Sequence, residues 1–309
     1  MLTFFTTAKP FEGQTAVSQR NALQSWKYLH PEIEIILFGD DAGSAGAAAE
    51  LHLRFEPHVA RNDSGTKRLD YLFDRAQEIA RHEILCYVNC DIILTRDFVT
   101  AVANLRTLRE RFLMVGRRWD VELHGPIDFV KPSWDADVRQ LASATNNQRP
   151  AYWIDYFVFP RGLYLGQIPP FVIGRVFWDN WLVWRAPGLG APVVDASAVV
   201  QAIHQNHDYG YHPKGKSGVW NDEQSQSNFL HSGGYAHLRA INSADFLLTP
   251  DGLKPNRFVR LAFPLSEARR RIVKAKDNLV AFSQSWIWHP ILGLTRAMRR
   301  KLGLPRHKA

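Results

Sequence analysis

The sequence predicts an α/β fold with a mostly parallel central sheet flanked by helices, and two observations carry that expectation. Runs of β-branched and aromatic residues alternate with helical segments of about 10–15 residues, the pattern of βαβ units. One apolar run, Leu85-Cys86-Tyr87-Val88-Asn89-Cys90-Asp91-Ile92-Ile93-Leu94, also delivers an uncompensated carboxylate at what reads as a strand end. In such sheets, ligands bind at that edge.

Leu2 to Thr7 is β-branched and aromatic and reads as the first strand, broken at Lys9 to Gly13. Ala16 to Leu29 carries Ala22, Leu23, Trp26 and Leu29 at helical spacing and stops before Pro31. Ile33 to Phe38 is a second strand closed by Gly39-Asp40-Asp41, Ala42 to Leu51 is helical, and Leu53-Arg54-Phe55 is a short strand. A polar loop then leads to a helix over 65–80, with Leu69, Leu72, Phe73, Ala76 and Ile79 on one face. After the 85–94 strand come a helix over 101–111 and a strand over 112–116. Residues 117–150 read as irregular loops over the ligand edge. Tyr152 to Phe159 is a strand with Trp153, Asp155, Phe157 and Phe159 on one face. Arg175 to Trp184 reads as helical, and Val193 to Asp195 as a strand that precedes His204-Gln205-Asn206-His207-Asp208.

The net charge of +8 does not point to nucleic acid, because of where it lies. Residues 264–309 carry 11 Lys and Arg against Glu267 and Asp277, so this segment holds +9 and residues 1–263 sum to −1. Cys86 and Cys90 share one strand and read as small buried hydrophobes, which fits a reducing compartment. The start lacks a signal-peptide pattern, and no apolar run reaches membrane-spanning length. A cytoplasmic protein is expected.

Asn89 and Asp91, two apart on an extended chain, share a face. One carboxylate with an amide neighbour suits Mg²⁺ or Mn²⁺, which takes further oxygens from phosphates; the alternative is a turn cap before Thr95. Asp179 lies among Trp178, Trp181 and Trp184, where desolvation would make it a better base; alternatively it pairs with Arg175 four residues earlier. His204 and His207 offer imidazoles to a metal or a phosphate. Asp40 and Asp41 close a strand where carboxylates bind a ribose or base edge, or simply turn. Thr66, Lys67 and Arg68 begin a helix suited to an anion, or form a solvated first turn.

In this order, the segments over residues 1–215 resemble the GT-A glycosyltransferases, which use nucleotide sugars on a Rossmann-like domain; the likeness is to family 2. The resemblance implies that Asp91, with Asn89, holds a divalent cation (Mn or Mg) on the diphosphate of a nucleoside-diphosphate sugar, with His207 or His204 as a further contact. Thr6, Asp40 and Arg68 would surround the nucleoside. Asp179 would be the base, and Asp155 would line the sugar or acceptor pocket. Trp153, Trp178 and Trp181 offer flat faces to sugar rings. Asn89 departs from the family's usual pair of aspartates.

The implied domains are a transferase domain over 1–263 and a basic, Trp-containing helical extension over 264–309. The extension suits peripheral contact with anionic membrane at the inner face, and a glycan or glycolipid acceptor of an envelope polymer. The alternatives are a packed helical pair for the tail and, for the activity, a sugar-nucleotide nucleotidyltransferase or a non-catalytic sugar-binding protein.

Overall fold

Strand β1 (Leu2–Thr7) is buried along nearly its whole length and lies inside the main sheet, as a continuously apolar run requires. This computed structural model describes residues 1–105, 111–207 and 215–257. Ten further strands are β2 (Glu34–Phe38), β3 (Arg54–Glu56), β4 (Ile84–Val88), β5 (Ile92–Ile93), β6 (Leu113–Val115), β7 (Arg118–Val121), β8 (Tyr156–Pro160), β9 (Val193–Asp195), β10 (Ala202–Gln205) and β11 (Phe246–Thr249). The last is β12 (Gly252–Pro255). Nine of them form one sheet in the order β12-β11-β9-β6-β8-β4-β1-β2-β3, while β5, β10 and β7 form a small second sheet. The main sheet is mostly parallel, with β8 and β12 running against their neighbours.

Helices cover both faces of the main sheet. On one side α1 (Gly13–Lys27), α2 (Ser44–Glu50) and α4 (Arg96–Leu105) bury Leu23, Trp26, Ala48 and Phe98 against Phe4, Leu37 and Cys86. On the other, α3 (Leu69–Ile79) and α6 (Trp178–Gly188) bury Phe73, Trp181 and Leu182 against Phe5, Tyr87 and Phe159. Phe73 stacks on Phe159 at 5.5 Å, a contact worth about 0.5–1.5 kcal/mol beyond its buried area. The small sheet packs on α5 (Trp134–Thr145) around Trp134, Val138 and Ile203.

Several sequence expectations change. The helix expected over 65–80 begins only at Leu69, because Lys67 and Arg68 are extended and bridge to Arg61 and Val172, and the helix expected from Ala101 begins at Arg96. The 85–94 run splits into β4 and β5, because the Ile92 amide donates to the Asn89 carbonyl (3.1 Å) and closes a turn. Asn89 and Asp91 therefore do not share a strand face. The strand expected from Tyr152 begins at Tyr156, since the Trp153 amide turns back to the Pro150 carbonyl (3.1 Å). Residues 117–150 are not irregular throughout but hold β7 and α5; Trp134, Val138 and Ala142 form a thin helical stripe among charged neighbours. The boundary expected at 263/264, the basic segment 264–309 and Asp208 lie outside the described residues. No helix among the described residues is long and apolar enough to cross a membrane.

Candidate active site

Parallel pairing of β1 with β2 and β4 sends all three strand ends to one edge, and the antiparallel β8 starts at that edge. Thr7, Asp41, Asn89, Asp91 and Asp155 are thereby gathered around a cleft of about 870 Å³. The site lies where this sheet architecture places its ligands.

Strand pairing also brings in the histidines. In the antiparallel β5–β10 pair His204 lies opposite Ile92, and in the parallel β10–β7 pair it lies opposite Asp120. The Gln205 amide donates to the Asp91 carbonyl (3.2 Å), locking β10 to the turn that carries Asp91. As a result Asp91 Oδ2 faces His207 Nε2 at 3.2 Å and His204 Nε2 at 3.7 Å. Potential ligand atoms of the three side chains lie within 4.8 Å of one another. Burial raises the Asp91 carboxyl's pKa, but the two imidazoles and Lys9 more than offset it and hold the group well below the usual carboxylate range.

The donor set suits a divalent cation. One carboxylate and two imidazoles converge, and Asp91 Oδ1 is buried with no hydrogen-bond partner, as a ligand oxygen awaiting a cation would be. His204 turns its other nitrogen, Nδ1, toward Asp120 Oδ1 at 3.4 Å without completing a hydrogen bond, so a carboxylate stands behind this imidazole where one commonly orients a metal ligand.

Asn89 has another task. Its amide donates to Asp155 Oδ1 (2.7 Å), and its oxygen accepts from the Tyr87 hydroxyl (3.1 Å). Asp155 is buried under this amide and the Arg118 guanidinium, whose Nη1 lies 3.2 and 3.1 Å from its two oxygens. Arg118 Nε also donates to Asp120 Oδ1 (2.9 Å), so one guanidinium on β7 holds Asp155, the residue before β8, near the Asp91–His204–His207 cluster.

Asp179 occupies the first turn of α6 and lines the same cleft. Arg175, the partner considered from sequence, instead pairs with Asp222 at 2.6 Å. Oδ1 of Asp179 is buried without a partner. Burial pushes its carboxyl up to about 7, and the charge of Asp155 adds to the shift against nearby backbone amides. Phe177, which caps the start of α6, has φ 86°, a conformation costly for a bulky side chain.

Other expected residues fall elsewhere. Thr6 is buried in β1 and outside the cleft lining. Asp40 pairs with Arg61 at the surface, and Arg68 pairs with Asp70; neither lines the cleft. Their neighbours Asp41 and Lys67 do, forming a buried ion pair in which Lys67 Nζ also donates to Thr7 Oγ1 (2.7 Å) and the Ala8 carbonyl (2.8 Å). Trp153 and Trp178 both reach the cleft, whereas Trp181 is core. Sequence reasoning missed Arg118 and Asp120. The alternation Arg118-Trp119-Asp120-Val121 was the available signal, with Trp119 and Val121 facing apolar packing.

No family model matches the chain, and no curated protein matches it. Similar solved structures include S. aureus TarS 1–349, with a TM-score of 0.41 at 12% identity over 66% of this chain and 57% of that one. M. tuberculosis glucosyl-3-phosphoglycerate synthase has a TM-score of 0.44 at 13% identity over 76% and 81%. The mannosyltransferase PcManGT from Pyrobaculum calidifontis, solved with GDP-Man and Mn²⁺, has a TM-score of 0.40 at 14% identity over 68% and 58%. The match thus spans little more than half the length of the first and third of these chains. At such scores the functional reading rests on the site's own geometry.

Proposed function

We propose that this chain is a metal-assisted glycosyltransferase that moves a sugar from a nucleoside-diphosphate sugar to a hydroxyl acceptor. The observation that carries this reading is that two complementary groups open on one cleft: the Asp91–His204–His207 donor set and Asp179, whose Oδ1 has no partner and whose pKa is raised. Asp91, His204 and His207 would hold a divalent cation, which when bound would supply positive charge to the departing diphosphate. Asp179 Oδ1 takes the proton of the acceptor hydroxyl as its oxygen bonds to the sugar's anomeric carbon, and the bond from that carbon to the diphosphate breaks. The second carboxylate missing at Asn89 is replaced by two imidazoles, while Asn89 and Arg118 hold Asp155 by hydrogen bonds beside the reacting groups.

The experiment is turnover of UDP- and GDP-sugars with Mn²⁺, following release of nucleoside diphosphate in the wild type and in Asp91→Ala. Release that disappears in the variant supports the proposal. Pyrophosphate release would make the protein a nucleotidyltransferase, and nucleotide-sugar binding without turnover on any acceptor would make it a binding protein. We further propose an envelope glycan or glycolipid acceptor reached from the cytoplasmic face, with residues 264–309 touching anionic membrane. Equal recovery of the full chain and of residues 1–263 on anionic vesicles would remove the membrane contact.

A further inference from the structure

The aromatic residues of the cleft divide by exposure. Trp178 is buried and edge-on to Tyr87 at 5.5 Å, so its faces belong to the core. Tyr152 and Trp220 are 50% and 38% exposed and also line the cleft. Trp153 lies between them, its ring centre 6.3 Å from that of Tyr152 and 6.1 Å from that of Trp220. The guanidiniums of Arg118 and Arg149 approach the Trp153 ring at 4.5 and 4.3 Å and hold it in place. This row stands beside the proposed base, because Asn180 Nδ2, next to Asp179 in the chain, is 3.5 Å from the Tyr152 carbonyl oxygen. The rings left open at the cleft are therefore those of Tyr152 and Trp220, and the apolar C–H face of a sugar ring fits them.

Charge narrows the ligand further. Among the described residues at this end, Arg118 is engaged by Asp120 and Asp155, and Arg175 by Asp222. Arg149 also faces Asp120, at 3.4 Å. An acidic acceptor would have to compete with these carboxylates, whereas a neutral sugar asks only for the rings and hydrogen bonds.

We propose that Tyr152 and Trp220, with the guanidinium-covered Trp153 between them, form the acceptor subsite and that it takes a neutral sugar ring rather than a phosphorylated or carboxylic small molecule. Calling the bound sugar an acceptor rests on the transferase reading; the sugar binding itself does not.

The test is titration of the full chain, in Mn²⁺ and UDP, with the methyl glycosides of glucose, galactose, mannose and N-acetylglucosamine. Binding is read by saturation-transfer NMR and tryptophan fluorescence, with 3-phosphoglycerate as the acidic probe. At least one glycoside should bind, with affinity about tenfold weaker in Tyr152→Ala and Trp220→Ala, equivalent to about 1.4 kcal/mol of stacking. Tyr152 is half-exposed, so its variant keeps the test valid if Trp220→Ala misfolds. Preference for 3-phosphoglycerate, no glycoside binding, or unchanged binding in Tyr152→Ala would overturn the proposal. UDP and Mn²⁺ binding on the same samples separates the two readings. A chain that binds glycosides but no nucleotide keeps the sugar subsite and loses the transferase.

Discussion

Replacing Asp179 with asparagine keeps the side chain's size and removes its ionisation, which separates two consequences of one buried carboxyl. In the fold this group titrates at about 7 against an ordinary 3.8. That gap corresponds to roughly 4 kcal/mol, at about 1.4 kcal/mol per unit. Solvent reaching the cleft screens part of it, leaving about 2 kcal/mol. The folded state holds the proton more tightly than the unfolded chain does. Its stability therefore falls as pH rises from about 4, and the loss is complete above about 7. Asparagine escapes this penalty. Thermal unfolding should show Asp179→Asn unchanged near pH 4 and about 4–8 °C more stable at pH 8. Activity should move the other way. As a base the group works deprotonated, so wild-type kcat/KM should climb through pH 7 to a plateau. Asp179→Asn should lower kcat about 10²–10⁴-fold and abolish that inflection. A variant with wild-type turnover and the same inflection, or with no stability gain at pH 8, would refute the reasoning.

Further outcomes follow from the same geometry. Calorimetry with Mn²⁺ should show binding lost in Asp91→Ala and about 10–100-fold weaker in Asp120→Asn, whose carboxylate stands 3.4 Å behind His204 Nδ1. Asn89→Asp should not strengthen metal binding. It would set two carboxylates against each other where an amide now donates to Asp155, and urea unfolding should show a loss of about 1–3 kcal/mol. Lys67→Met leaves the part-buried Asp41 carboxylate without its cation and should cost about 1–3 kcal/mol in the same assay.

The alternating strands and helices of the first 116 residues were legible because each buries a continuous or one-sided apolar pattern, and period alone identifies such elements. Errors gathered where a short-range contact overrides the pattern. The turn at Asn89–Ile92 interrupts an apolar run with no glycine or proline to announce it. In α5 the stripe of Trp134, Val138 and Ala142 is diluted by charged residues facing solvent. The Asp40–Asp41 and Lys67–Arg68 pairs show a finer limit. Lys67 and Arg68 are extended bridge residues, so successive side chains point opposite ways, and which member of each doublet enters the cleft depends on the backbone geometry.

The opening run and the order of elements were enough to predict a mostly parallel α/β sheet with Asp91 at a strand end, because hydrophobic periodicity is local information. What holds Asp91 was not local. His204 reaches it only because β10 pairs with both β5 and β7, which also brings up Asp120 from a stretch that read as loop. Asn89, two residues from Asp91, turns instead to Asp155, sixty-six positions away in the chain. Side-chain partners across a sheet are set by register and turns, and those exist only once the strands have met.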